Sequence, residues 1–345
     1  QATRQAGSRR ACGTARSVAA TGTAGMAPAV RMTRRVPGVL LFGELLADRF
    51  PDGERAGGAP FNVAHHLAAL GRHAGVEPVL VSRIGRDARG AMLLHSLRKA
   101  GLATEAVQLD PVHASGRVDV KLERDGQGHR FEIPAAQAWD FIDPDAARQA
   151  ARARRPEWIY FGTLAQRGAS RQALRALFAA TRARGFLDVN LREFPLDEDV
   201  LRWSLGRAEV AKLNAGELLR VAEAVRMRGN CSTTLGKGLI DAFGIRWLLV
   251  TEGANGAWLL DDCGARFNTP PTRPPASLRD SVGAGDAFAA VVMLGLLHGW
   301  DVGECLERGN RLAADVCGLR GAVPDDGSFY DPFMADWGLQ GGAAS

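Results

Sequence analysis

The segment "DSVGAGDAF", which begins at Asp280, places small residues directly before an acid and an apolar run. Ala287 onward reads as a buried helix, so Gly283, Ala284 and Gly285 fall at its start. The first amides of a helix have no carbonyl partner within it, and the helix dipole adds partial positive charge there. Such a bend suits an anion, and glycine lets a phosphate come close to the backbone. A carboxylate beside that anion, Asp286, can accept the proton of an attacking hydroxyl. Phosphoryl transfer needs little more than this, positioning and charge stabilisation. An acid in the first helical turn is also favoured by the dipole alone, so these nine residues by themselves leave both readings open.

Spacing excludes other chemistries. In "GNCSTTLGKG" (229–238), six residues lie between Gly229 and Gly236 where a P-loop has four, and Gly238 replaces its Ser or Thr. "GAGDAF" makes a poor dinucleotide fingerprint, because Phe288 stands where a small residue is needed and the segment is far from the first strand–helix unit. Neither H-E-x-x-H nor G-x-S-x-G occurs, and the His65–His66 pair on a helix near 60–71 lacks ligand spacing. The five cysteines (Cys12, Cys231, Cys263, Cys305, Cys317) form no C-x-x-C. Cys305 and Cys317 read as small buried apolar residues, and the set fits a reducing compartment.

The elements that must hold these residues alternate regularly. Strands are predicted at 38–43, 78–85, 158–163, 185–190, 208–214 and 246–253, and amphipathic helices near 60–71, 87–100, 170–184, 215–225 and 232–243. Two further helices, near 284–298 and 303–318, close the pattern. Strands that are apolar throughout, separated by helices, indicate parallel β-α-β units with both sheet faces covered. "GRVDVKLERDGQGHRFEI" breaks the rhythm. Val118, Val120 and Leu122, then Phe131 and Ile133, alternate with polar residues around a Gly-containing turn. That is a hairpin with one wet face, serving as a lid, a subunit contact or neither. The Pro-rich 268–280 is a loop.

Composition narrows the partners. The net charge is +5, yet residues 1–43 hold seven Arg and no acid, so the rest carries −2. A nucleic-acid face therefore has little support. The longest apolar stretch, Ala287 to Leu297, is too short to span a bilayer, which argues against a membrane protein. The Arg-, Ala- and Ser-rich leader shares its composition with organelle transit peptides. It is read here as a disordered or non-native extension, with Met26 or Met32 as alternative starts. The expected divisions are 1–35 for the extension, 36–330 for one catalytic domain with lid strands at about 46–56 and 115–134, and 331–345 for a tail. The cytoplasm is the expected location, organelle targeting by the leader being the alternative.

"DSVGAGDAF" is similar to the C-terminal signature of the ribokinase-like (PfkB) carbohydrate kinases, and "GGAPFNVAHHLAALG" (57–71) resembles their N-terminal one. "RIGRDARG" (83–90), "DVNLR" (188–192), "KLNAGE" (212–217) and "VTEGANGA" (250–257) follow the family order, over roughly 37–325. The resemblance implies a three-layer α/β/α fold with a mostly parallel central sheet and a small β lid. It implies an ATP- and Mg2+-dependent sugar kinase, with K+ as activator in some members. Asp286 resembles the catalytic base and Gly283, Ala284 and Gly285 the anion hole. Asp48, Gly58 and Asn62 resemble sugar contacts. Arg192 faces either a phosphate or acidic substrate, or only a neighbouring acid. Asn214 and Glu217 resemble the pair beside the triphosphate, with Glu217 reaching Mg2+ through water. Thr251, Gly253, Gly256 and Asn310 resemble ATP-side positions, and Asp280 with the Val282 carbonyl resembles a monovalent-cation site. Ser281 and Val291 depart from the signature, and "DVNLREF" lacks a Trp common in fructokinases. The fructokinase branch is the nearest. Ribose, 2-keto-3-deoxygluconate, a nucleoside or a sugar phosphate remain as substrates. A non-catalytic binding regulator and a dinucleotide oxidoreductase are the readings from other classes. A homodimer through the lid is also implied.

Overall fold

The computed structural model describes residues 38–50, 53–122, 129–192, 197–271, 279 and 281–340. The expected extension 1–35 lies outside these residues, as does Asp280. The apolar runs form a nine-stranded sheet in the order β13-β12-β11-β10-β9-β8-β1-β4-β5. Its strands are β1 (Gly38–Phe42), β4 (Glu77–Gly85), β5 (Val107–Asp110), β8 (Trp158–Phe161), β9 (Arg184–Asp188), β10 (Ala208–Asn214), β11 (Trp247–Thr251), β12 (Ala257–Asp261) and β13 (Arg266–Asn268). All pairings from β5 to β11 are parallel, and β12 and β13 add antiparallel at one edge.

Helices cover both faces, as an all-apolar parallel sheet requires. One face packs under α1 (Ala59–Gly71), α2 (Ala88–Lys99), α8 (Ala284–His298) and α9 (Val302–Val316). The other packs under α3 (Pro144–Arg154), α4 (Ser170–Ala179), α5 (Glu198–Leu205), α6 (Ala215–Ala224) and α7 (Ser232–Phe243). Helix α8 is apolar nearly all round because it is packed against both α1 and α9, with Ala287 through Gly295 buried. Phe288 fits against Gly309 of α9, where an added Cβ would lie 2.9 Å from the ring. Among the described residues, no helix is long and apolar enough to cross a membrane.

The segments expected as a lid form a separate four-stranded sheet, β3-β2-β6-β7, built from β2 (Leu46–Phe50), β3 (Gly53–Gly57), β6 (Gly116–Leu122) and β7 (His129–Glu132). The alternating segment indeed forms a hairpin, and β2 extends it by parallel pairing with β6.

Several expectations change. Helix α4 ends at Ala179 rather than near 184, because Thr181 turns the chain by accepting the Ala183 amide and β9 already begins at Arg184. Strand β11 stops at Thr251, and Gly253 opens a 3-10 turn into β12. The segment expected as a tail from 331 packs into the core. Helix α10 (Asp331–Asp336) and the residues after it bury Phe333, Trp337 and Leu339. Apolar burial of three large side chains holds that segment to the domain.

Candidate active site

The sheet places its chemistry along the carboxyl ends of its strands. Strand β1 lies between β4 and β8, so the chain runs outward from it in both directions. A crevice opens at such a reversal, and ligands of open α/β sheets bind there. Register then sets the order along the edge: Phe42 beside Phe161, Asp188 beside Lys212, and Asn214 beside Thr251.

Helix α8 enters this edge at Gly283. Its φ of 81° and its contact with Ala322, 2.4 Å from a would-be Cβ, both require glycine. The Ala284 amide turns back to the Ser281 carbonyl at 3.3 Å. Asp286 follows in the first turn, 8% exposed, and its Oδ2 accepts a hydrogen bond from Asn62 Nδ2 at 2.8 Å. The two signature segments, 224 residues apart, therefore meet side chain to side chain. Among the described residues, the other amide atom of Asn62, Oδ1, is buried without a hydrogen-bond partner. Burial pushes the Asp286 carboxyl up to about 7, the nearby Asp188 charge adds to this, and Asn62, Lys212 and Arg192 oppose it.

Around the start of α1, Gly58 has φ 104° and lies against the Glu44 carbonyl, 2.5 Å from a would-be Cβ. Glu44 Oε1 accepts the Ala59 amide at 3.2 Å and so caps the helix. Burial raises the Glu44 carboxyl above its ordinary range, with Arg192 and Arg167 among the groups opposing it. Asp48 sits on β2 with its carboxylate over Gly57, 2.1 Å from where a Cβ would be, so the bare backbone of "GG" admits it.

Glu217 and Asn214 form a capping box at the start of α6. Glu217 Oε2 accepts the Asn214 amide and Asn214 Oδ1 accepts the Glu217 amide, each at 2.8 Å. Glu217 Oε1 accepts the Leu191 amide at 2.8 Å, and burial raises its carboxyl. Each oxygen thus serves an amide and keeps a further lone pair. That donor set fits a hydrated hard cation reached through water.

Further along the sheet, at the positions expected to face ATP, Thr251 ends β11 and its hydroxyl donates to the Leu213 carbonyl at 3.5 Å. Gly253 and Gly256 take positive φ, and Gly256 lies tight against Thr269 and Pro270. Asn310 of α9 donates to the Thr269 hydroxyl, so Gly256 and Asn310 meet at one loop. Val282 precedes the α8 bend. Arg192 lines a cavity of about 500 Å³ together with Arg167, Arg171, Thr163 and Asp197.

Sequence reasoning missed Glu44, Tyr160, Asp188 and Lys212. Lys212 Nζ donates to both Asp188 oxygens, at 3.1 and 2.9 Å, and the Tyr160 hydroxyl donates to Asp188 at 3.3 Å. The available signal was a lysine inside an apolar strand, "EVAKLN", near an acid ending another, "FLDVN".

The family model for "pfkB family carbohydrate kinase" matches residues 33–326. A fructokinase of Vibrio alginolyticus is 27% identical over 266 residues, which are 72% of this chain and 81% of the relative. A 5-dehydro-2-deoxygluconokinase of Clostridium perfringens is 23% identical over 286 residues, 75% of this chain and 77% of the relative. The solved structure of a fructokinase with bound ATP from Xylella fastidiosa superposes with a TM-score of 0.72 at 21% identity, covering 87% of this chain and 99% of that one. This last likeness shows the ribokinase-like fold.

Proposed function

The chain belongs to the pfkB family of carbohydrate kinases, and from that premise we propose that it transfers the γ-phosphate of ATP to a hydroxyl of fructose or a related ketose, with Asp286 as the base. The observation that carries this reading is the buried 2.8 Å contact between Asn62 and Asp286 at the start of α8. A sugar hydroxyl held there can donate to the orphaned Asn62 oxygen, while Asp48 and the Gly57–Gly58 backbone take further hydroxyls. Asp286 takes the proton as the hydroxyl oxygen bonds to phosphorus and the bond to ADP breaks. The amides at the α8 N-terminus stabilise the charge on the transferred group. Glu217 and Asn214 would hold Mg2+ through water, and the ion would neutralise phosphate charge. The lid sheet closes over the sugar and keeps water from the phosphate.

The test is ADP release on a sugar panel with ATP and Mg2+, with and without K+. Fructose is expected to be turned over, and Asp286→Asn to lose turnover while still binding sugar. Near-normal turnover in that variant removes Asp286 as the base. A second reading, a sugar acid, draws on the Arg192, Arg167 and Arg171 cavity and on the gluconokinase relatives. Preferential turnover of 2-keto-3-deoxygluconate or a related acid over fructose would favour it.

A further inference from the structure

Three adjacent strands place a buried charge pair directly behind the α8 bend. Asp188 ends β9, Lys212 is its register partner on β10, and Tyr160 reaches Asp188 from β8. Asp188 is 2% exposed and Lys212 5%. A Cβ built on Gly285 would lie 3.2 Å from Lys212 Nζ, so the ammonium lies against the backbone of the anion-binding turn. A buried ion pair adds little stability over well-packed apolar residues. Its place against Gly285 therefore calls for another role.

We propose that the Lys212–Asp188 pair is the positioning unit of this site: it fixes a positive charge behind Gly285 and sets the electrostatic poise of Asp286. The proposal rests on the reading of Asp286 as the base. Every charged or titratable group facing that carboxylate has an address in the fold. Asp188 comes from β9, Lys212 from β10 and Arg192 from the loop after β9, with the neutral Asn62 donating from α1. Tyr160 on β8 feels Asp188, Asp286 and Glu44 together, and Lys212 also feels Glu217 of α6. Lys212 Nζ donates to both Asp188 oxygens, the contact an ammonium makes with a carboxylate. Two acids, Asp188 and Asp286, then face two cations, Lys212 and Arg192. Removing Lys212 leaves two like charges with one cation between them, which disfavours ionised Asp286. Removing Asp188 has the opposite effect, because a like charge beside Asp286 is lost.

The experiment is carboxyl carbon NMR on the full chain labelled at aspartate, with the Asp286 signal assigned by its loss in Asp286→Asn. The wild-type signal is expected to titrate at about 7. Lys212→Met should move that midpoint up and Asp188→Asn should move it down, each by roughly one pH unit. The acid limb of kcat/KM should follow with the same signs. A midpoint that stays in place in both variants, or moves the wrong way, overturns the inference. Circular dichroism checks folding. If Lys212→Met does not fold, the near-isosteric Asp188→Asn decides alone, and an unmoved or raised midpoint sinks the proposal. An active Asp286→Asn would instead overturn the reading of the base, while the NMR shifts would still decide whether the pair controls Asp286.

Discussion

At the scale of single residues, burial does most of the tuning. Asp286 lies in a dry site with an acid nearby, so its proton leaves near neutrality rather than near the usual carboxylate value. A base acts only when deprotonated. kcat/KM is therefore expected to fall about tenfold per unit as pH drops below about 7, as measured in a coupled assay with saturating coupling enzymes. Asp286→Asn should reduce turnover by roughly a hundred- to ten-thousand-fold. A flat profile across pH 6–8 with full activity would contradict both expectations. Glu217 differs, because its two oxygens already serve the amides of Leu191 and Asn214. Glu217→Gln replaces one acceptor with a donor facing an amide. It should lower thermal stability and also raise the Mg2+ concentration needed for half-maximal rate, which a metal titration at fixed ATP would read. Of these residues, Asp286 stood out as an acid behind small residues at a helix start, whereas Asn62 and Glu217 were named only through the family resemblance. Lys212 and Asp188 were not legible, because a charged residue in an apolar strand acquires meaning only when its neighbouring strand is known.

At the scale of elements, two helix starts do the positioning. Helix α1 starts at Gly58 and α8 at Gly283, both with backbone angles that favour glycine and both pressed against neighbouring main chain. Gly283→Ala should cost at least about 1–2 kcal/mol from the left-handed backbone alone, before its Cβ meets Ala322. Denaturant unfolding would show the loss, and the KM for ATP should rise with it because the anion-binding turn is displaced. A variant with wild-type stability and KM would show that the bend does not need its observed geometry. The strongly periodic elements, such as β4, β10 and α7, were readable within a residue or so. The misses have local reasons. In α3, "PDAARQAARAR", the buried face is made of Ala147 and Ala151, too small to mark a stripe. In β12, "AWLLD", the apolar run follows a glycine-rich turn, and only pairing with β11 identifies it as an antiparallel edge.

At the scale of the whole molecule, α8 is the member that joins the parts. It packs against α1 and α9, faces the sheet, and carries Asp286, the proposed base, in its first turn. The C-terminal segment completes the same core, with Trp337 edge to face against Trp300 and tilted against Phe333. Trp337→Ala is expected to destabilise the domain by about 3–5 kcal/mol, measurable as a lower midpoint of chemical unfolding. An unchanged midpoint would return that segment to the status of a tail. What the sequence alone determined was the type of chemistry and the class of fold. The class of fold follows from apolar runs with two distinct periods, and the type of chemistry from small residues before an acid at a helix start taken together with the family resemblance of six motifs in order. Tertiary structure alone decided which charged and polar groups share a buried volume, since Asn62, Asp188, Lys212 and Asp286 come from different elements. Electrostatic influence depends on distance and burial, and neither is a property of position along the chain.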